Sequence, residues 1–446
     1  MQQQLSSTML SSRCPACAHT VAVPFHDGGT QPLATLAFPA SHREAVELPR
    51  YPLRFVRCVD CGHVYNPEFD YDQVPYSKHP NKMFNLGAIW RDHLTAVKRL
   101  ILEAVGPLSR PCIVEIGCGD GHLLRSLAED RPEGRYLGFD PNAEVDTAGG
   151  AIEARAELFL PDRHMAECRP DVIVARHVLE HLVDPLSLLQ GIAFAAAALH
   201  RPTRLFVEVP CVDLAIRNGR TADFFYEHNS HFTSNSLARM MERAGAAIES
   251  LEKGYGGEVV HALATLKPTS HQREFSGQAA AFIDQSRRAV KTLAVQLDAI
   301  ERSGQRVAIW GGTGKAAALI HQCGMDAERF PLVVDSDPQK VGTFVPGTGQ
   351  EIRFRDVLVD RPAEIIIIAT QWRAADIVLE MQRHGIGAKA VLIEHRGRLI
   401  DYFRDDHPYR QVARPTGQAW HRPESHPALP SPNILHPWDV RSSTTD

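Results

Sequence analysis

Four cysteines stand in two CxxC pairs, Cys14/Cys17 and Cys58/Cys61, with the spacing C-x2-C-x40-C-x2-C. A CxxC turn aims two thiolates at one point because the chain reverses between them. Two such turns brought together build a tetrahedral four-sulfur site, the closed geometry of structural zinc. Glycine at Gly62 gives the second turn its backbone freedom. His19 and His63 lie close in sequence, but four sulfurs already complete the shell. A closed site has no open coordination position, so the zinc expected here holds structure and does no chemistry.

A second chemistry-bearing stretch runs Ile113-Val114-Glu115-Ile116-Gly117-Cys118-Gly119-Asp120-Gly121. A strand runs into a glycine turn, and a helix is expected at 122–129. The glycines let the backbone approach a ligand that side chains would hold off. Their spacing is GxGxG, not the GxGxxG of dinucleotide sites. Asp140 follows Leu137-Gly138-Phe139 at the end of the next strand, where its carboxylate can take both hydroxyls of a ribose. Asp162 follows a short apolar run at 158–160. It is a candidate for the base end of the same ligand, and equally a turn residue after Pro161.

Imidazoles and carboxylates cluster twice more. Arg176-His177-Val178-Leu179-Glu180-His181-Leu182 follows a strand expected at 171–175. Ligands of a parallel sheet sit at the carboxyl ends of its strands, which puts His181 near the reacting centre. Phe224-Phe225-Tyr226-Glu227-His228-Asn229-Ser230-His231-Phe232 follows a strand expected at 205–209. Such a segment can bind a polar substrate, take a proton and polarise an oxygen.

The elements that must position these groups alternate strand and helix. Strands are expected at 111–116, 135–139, 171–175 and 205–209, with helices between them, which implies parallel βαβ units. The reading is five stretches: a zinc-binding domain at 1–81, an α/β core at 82–267, a connecting helix at 268–303, a second, smaller Rossmann-like α/β domain at 304–400, and a Pro- and His-rich tail at 401–446. Strands of the second domain are expected at 306–310, 331–335, 364–369 and 390–393. The 446 residues suit several domains, and 44% hydrophobic content supports sizeable cores. A net charge of -5 offers no basic stripe for nucleic acid. No apolar run approaches the ~20 residues that span a bilayer. The polar N-terminus is not a secretory signal. Nine cysteines, an odd number, point to a reducing cytoplasm rather than a disulfide framework.

The glycine loop with Asp140 resembles the first two motifs of class I S-adenosylmethionine methyltransferases. The resemblance implies that the loop Glu115, Gly117, Gly119 and Gly121 wraps the amino-acid and ribose part of the cofactor, with Asp140 on the ribose and Asp162 toward the adenine. The whole arrangement is similar to the sugar-nucleotide C-methyltransferases of deoxysugar biosynthesis, over roughly residues 14–395. It carries the two CxxC pairs, the glycine loop, HVLEHLVDP, FYEHNSHFT, and in the second domain VAIWGGTGK, VVDSDPQK and PGT, in that order. In that family a Tyr-His-Glu-His motif lines the active site with an upstream histidine. Glu227, His228 and His181 keep three of those positions. The family's tyrosine falls on Phe225 and its first histidine on Tyr226, so the one tyrosine present is shifted and, in an extended segment, faces the other side. Tyr76 loosely matches a substrate-contacting segment. Lys315 lies in a glycine run that is not a Walker A loop. The resemblance implies that its domain covers the site and helps hold a nucleotide diphosphate.

Methylating carbon requires an enolate. A base must remove a proton beside a ketone, and the ketone oxygen needs a donor. His228 is the expected base with Tyr226 second, Glu227 the orienting group and His181 the donor to the ketone oxygen. Two other readings differ in class: a small-molecule O- or N-methyltransferase, which needs no enolate, and a zinc-bearing scaffold without turnover.

Overall fold

The computed structural model describes residues 9–76, 87–143, 150, 152–199, 202–266 and 270–410. The chain divides into two compact units, Met1–Ser276 and Gly277–Asp446.

The first unit opens with a small antiparallel sheet of β1 (Leu10–Ser11), β2 (Val21–Gln31), β3 (Tyr51–Cys58) and β4 (Val64–Tyr65). Cys14 and Cys17 sit in the turn between β1 and β2. Cys58 ends β3, and Cys61 lies in the turn before β4. Backbone bonds from Ala18 N to the Cys14 carbonyl (2.9 Å) and from Gly62 N to the Cys58 carbonyl (3.1 Å) close the two turns.

The larger sheet contains β5 (Cys112–Ile116), β6 (Arg135–Phe139), β7 (Glu153–Arg155), β8 (Val172–Arg176) and β9 (Thr203–Pro210). A short strand, β10 (Ser230–His231), comes next in the chain, and β11 (Ala246–Gly254) and β12 (Val259–Leu266) complete the sheet in the order β11-β12-β9-β8-β5-β6-β7. Strands β5 to β9 pair in parallel, while β12 runs antiparallel to β9 and β11 to β12. This order, with its reversed hairpin, is the class I methyltransferase sheet.

Every residue of β5 is buried because helices cover both faces. Alternate residues face opposite layers. Ile113, Val172 and Val174 pack with Val97, Ile101, Leu124 and Leu127 of the helices Ala88–Val105 and His122–Asp130. Val114, Ile116, Ile173 and Ala175 pack with Met165, Leu189, Ile192, Leu237 and Met240 on the other side.

β10 pairs not with this sheet but with β4. The expectation of a separate domain at 1–81 is corrected here: the cysteine-bearing sheet takes its fifth strand from the segment that carries His228, and the two parts form one unit. Both of the core's expected boundaries, at 81/82 and 267/268, lie outside the described residues.

The second unit contains most of the helix Ser270–Arg302. Its sheet, β13 (Val307–Trp310), β14 (Val333–Asp335), β15 (Ile352–Phe354), β16 (Ile365–Ile368), β17 (Ala390–His395) and β18 (Arg398–Asp401), has the order β15-β14-β13-β16-β17-β18 and is parallel except for β18. The expected tail begins too early, because Tyr402 is buried in this core. Residues 411–446 lie outside the described set.

Candidate functional site

The four cysteines converge. Cys14 Sγ lies 3.7 Å from Cys61 Sγ, and Cys17 Sγ lies 3.6 Å from Cys58 Sγ. A tetrahedron of zinc–sulfur bonds of ~2.3 Å has edges of about 3.8 Å, so the set fits that ion. Burial pushes the Cys17 thiol up to about 12. Burial would raise Cys58 too, but the amide groups of Cys61 and Asp60 bring it below the ordinary thiol value. The core grips both turns: Asn235 Nδ2 donates to the Cys61 carbonyl at 2.7 Å, and Arg243 Nε to the Cys17 carbonyl at 3.2 Å.

The glycine loop lies at the carboxyl end of β5. Gly117 has a φ of 72°, and a Cβ there would fall 2.3 Å from Val178 Cγ2. Gly119, with a φ of 53°, has no atom within 4 Å of such a Cβ, so the loop faces open space. Asp140 directly follows β6 and fixes the loop: its carboxylate accepts from Gly119 N at 3.0 Å and from Asn142 N at 2.8 Å. Each oxygen keeps a lone pair for a ligand hydroxyl. Glu115 is buried, and its Oε2 has no hydrogen-bond partner. Burial raises its pKa to about 8, partly offset by Arg176, with Asp120 and Asp140 adding to the rise. A buried orphan carboxyl, a diol-binding carboxylate and an open glycine cradle fit a cofactor carrying an ammonium group and a ribose.

His181 and His228 meet edge to face, with ring centroids 4.8 Å apart. His181 Nδ1 lies 3.0 Å from the Glu227 carbonyl and 3.1 Å from Tyr76 Oη, and Tyr76 also donates to that carbonyl. A carbonyl can only accept, so Nδ1 carries the proton. The remaining nitrogen, Nε2, makes no hydrogen bond among the described residues, and a donation from His181 to a ketone oxygen would come from there. Among the described residues neither nitrogen of His228 has a hydrogen-bond partner. Burial first, then His181, His231 and His177, hold its pKa well below the ordinary value, so the ring is neutral.

Glu227 faces the other way from its own carbonyl. Its Oε1 accepts from Thr35 N (2.6 Å), Leu36 N (3.1 Å) and Thr35 Oγ1 (3.2 Å), and Oε2 is buried without a partner. Tyr226 is corrected as well. Its ring stacks on Tyr51 at 4.7 Å, and its hydroxyl accepts from Asp70 N at 2.9 Å. A turn at Tyr226 and Glu227 directs the phenol into the aromatic cluster of the small sheet, away from the imidazole pair. Asp162 stands exposed in the first turn of the helix Pro161–Cys168. A carboxylate suits that position, and among the described residues no hydrogen bond ties it to Asp140.

A buried charge network escaped the sequence reading. Glu208 on β9 binds Arg176 at 2.7 Å, His93 at 2.8 Å and His177 at 3.2 Å. These partners overcome its burial and hold Glu208 well below the carboxylate range. Burial opposes charge on His177, but Glu180 and Glu208 outweigh it and raise its pKa to about 9. His177 also has a left-handed φ of 52°, a strain seldom borne outside functional segments. The His-x-x-Glu-His spacing was the available signal for Glu180.

In the second unit a cavity of about 230 Å³ opens at the carboxyl ends of β13 and β14, lined by Trp310, Thr313, Lys315, Asp335, Lys340 and Arg373 among others. Lys315 Nζ lies over the Trp372 ring at 5.8 Å. Elsewhere, an open groove of about 770 Å³ between the helices Ala88–Val105 and His122–Asp130 contains none of the expected site residues.

Residues 89–251 match the family described as "Methyltransferase domain", and residues 260–395 the family described as "C-methyltransferase C-terminal domain". The chain is similar to the C-methyltransferase NovU of Streptomyces niveus, at 23% identity over 370 residues, covering 75% of this chain and 84% of that protein. It is also similar to the ubiquinone biosynthesis O-methyltransferase of Aeromonas salmonicida (strain A449), 27% identical over 34% of this chain and 69% of the relative. A solved S-adenosylmethionine-dependent methyltransferase from Aquifex aeolicus aligns over 44% of this chain and 99% of its own, at 14% identity and a TM-score of 0.32. Sheet order, glycine loop and these family matches define an S-adenosylmethionine-dependent methyltransferase. Within that class, the second-domain match is to a family described as a C-methyltransferase domain, and the chain is similar over 75% of its length to a C-methyltransferase.

Proposed function

We propose that the protein methylates a carbon beside a ketone on a nucleotide-linked deoxysugar, through an enolate. The observation that carries this reading is the imidazole pair. His228 is neutral, with no hydrogen-bond partner on either nitrogen among the described residues, and His181 packs edge to face beside it. A carbon beside a ketone has to lose a proton before it can attack, and a neutral imidazole can take it.

The cofactor, when bound, supplies an electrophilic methyl group on sulfur. Glu115 faces its ammonium, Asp140 its ribose hydroxyls, and Gly117, Gly119 and Gly121 bring the backbone close. His228 takes the substrate C–H proton through one nitrogen. His181 and Phe225, packed against its ring, hold it in place. Tyr76 and the Glu227 carbonyl hold His181. The spare Glu227 Oε2 takes a sugar hydroxyl. Lys315, with Lys340 and Arg373 in the same cavity of the second unit, suits a diphosphate by charge. Zinc on Cys14, Cys17, Cys58 and Cys61 holds the small sheet. Among the described residues no helix is long and apolar enough to cross a membrane.

The test is exchange. The protein in D2O with substrate and no methyl donor should wash deuterium into the carbon beside the ketone. Methyl transfer without any such exchange in a competent enzyme would count for the heteroatom reading. Mass spectrometry of co-purifying ligands identifies the sugar nucleotide to use.

Two further outcomes concern the cofactor. Asp140→Ala removes charge-assisted hydrogen bonds of about 1.5–3 kcal/mol each. The Kd for S-adenosylhomocysteine should rise at least ~10-fold, and an unchanged Kd would rule out the ribose role. Glu115 gives a pH dependence. Below its value of about 8 the carboxyl carries a proton. A cationic ammonium favours the ionised form, so binding expels that proton. Affinity should therefore rise with pH up to about 8, by at most ~10-fold per unit. Glu115→Gln should flatten the slope in a calorimetric titration.

A further inference from the structure

We propose that Glu180, His181 and His228 form a second, labile metal site that takes a divalent transition-metal ion, and that an ion there holds the enzyme off. One ligand atom from each of the three lies within 4.8 Å of the others. His181 Nδ1–H is spent on the Glu227 carbonyl, so Nε2 is the nitrogen left for an ion. Glu180 Oε1 leans on His177 Nδ1 at 3.5 Å, while Oε2 is buried with no hydrogen-bond partner, in a residue only 1% exposed. Neither nitrogen of His228 has a hydrogen-bond partner among the described residues. A buried carboxylate oxygen without a partner is costly, and an ion between it and the two imidazoles would satisfy it.

The donor set selects the cation. Two imidazoles and one carboxylate suit Zn²⁺, Co²⁺ or Ni²⁺, while Mg²⁺ and Ca²⁺ prefer oxygen shells. Three protein ligands leave a position open, unlike the closed four-sulfur site. An ion on His228 occupies the lone pair that would take the substrate proton. This consequence rests on the base role given to His228 above; the binding itself does not.

The experiment uses the full-length protein with its cysteine site loaded with zinc, titrated with Co²⁺ and followed by visible absorption. One further equivalent is expected, with nitrogen/oxygen-type d–d bands and no thiolate charge transfer. Glu180→Gln and His228→Asn should each weaken it by more than ~10-fold, since loss of even an outer partner typically costs that much. In the wild type, substrate C–H exchange should fall over the same Co²⁺ range and return on chelation. No further equivalent, one that persists in both variants, or one bearing thiolate charge transfer would overturn the site. Full binding with undiminished exchange would overturn its inhibitory role. Binding as expected in a protein that never shows exchange would sink the enolate reading and leave the metal site standing.

Discussion

His228→Asn is expected to lower the turnover number by roughly 10²–10⁴-fold, the usual cost of losing a positioned general base, with cofactor affinity unchanged. The ring is neutral in the folded protein, with no hydrogen-bond partner on either nitrogen among the described residues, so it can take a proton at neutral pH. Phe225 packs on it at 4.3 Å between ring centroids, and His181 orients it. Asparagine keeps a polar side chain there but cannot accept a proton. Glu115, the glycine loop and Asp140 lie on or directly after β5 and β6, apart from the segment that carries His228, so S-adenosylhomocysteine should bind as before. The contrast is Tyr226→Phe. It removes one hydrogen bond, to Asp70 N, and should cost about 0.5–1.5 kcal/mol of stability with little change in turnover. Steady-state rates, calorimetric binding and thermal melts of both variants give the comparison. If Tyr226→Phe damages turnover more, the proton passes through the phenol and the assignment is wrong.

Cys58→Ser is expected to dismantle the small sheet and abolish turnover, although no cysteine touches substrate. Structural zinc in small domains contributes about 10–16 kcal/mol of apparent binding free energy. Whole domains are stable by only about 5–15 kcal/mol. The damage should travel by a defined route. β4 is the pairing partner of β10, with Ser230 opposite Tyr65 and His231 opposite Val64. His228 stands two residues before that pairing, and Glu227 anchors on Thr35 and Leu36. Loss of the ion should thus remove amide protection from β2 to β4 and from β10, while β5, β6 and cofactor binding persist. Elemental analysis of the wild type should give one zinc per chain. A zinc-free protein with full activity would end this account. A Cys58→Ser variant that loses cofactor binding first would show that the two sheets are not separately stable.

Much of this was legible in the chain. Glycine loop, following strand and Asp140 are local: each signal lies within a few residues of the element that displays it, so the βα period and the turn chemistry suffice. The paired cysteines are equally plain, because only four of the nine have ligand spacing. The core strands fall within a residue or two of where the apolar runs place them. The β11–β12 hairpin was missed. Its edge strand β11 has a single buried residue and a weak apolar pattern, although its partner β12 is mostly buried.

What the sequence determined by itself is therefore the class of chemistry: a methyl-donor cradle, a thiolate centre, and imidazoles at strand ends. Tertiary structure decided which side chains meet and in what protonation state. Tyr76 reaches the Glu227 carbonyl across 151 positions, and His181 reaches it across 46, and together they fix a tautomer that no spacing could reveal. A turn sent Tyr226 into the aromatic cluster and left His228 at the site. Burial brought His177, Glu180 and Glu208 close enough to set one another's charge. Desolvation and short-range electrostatics depend on distances in space, and a sequence pattern carries only distances along the chain.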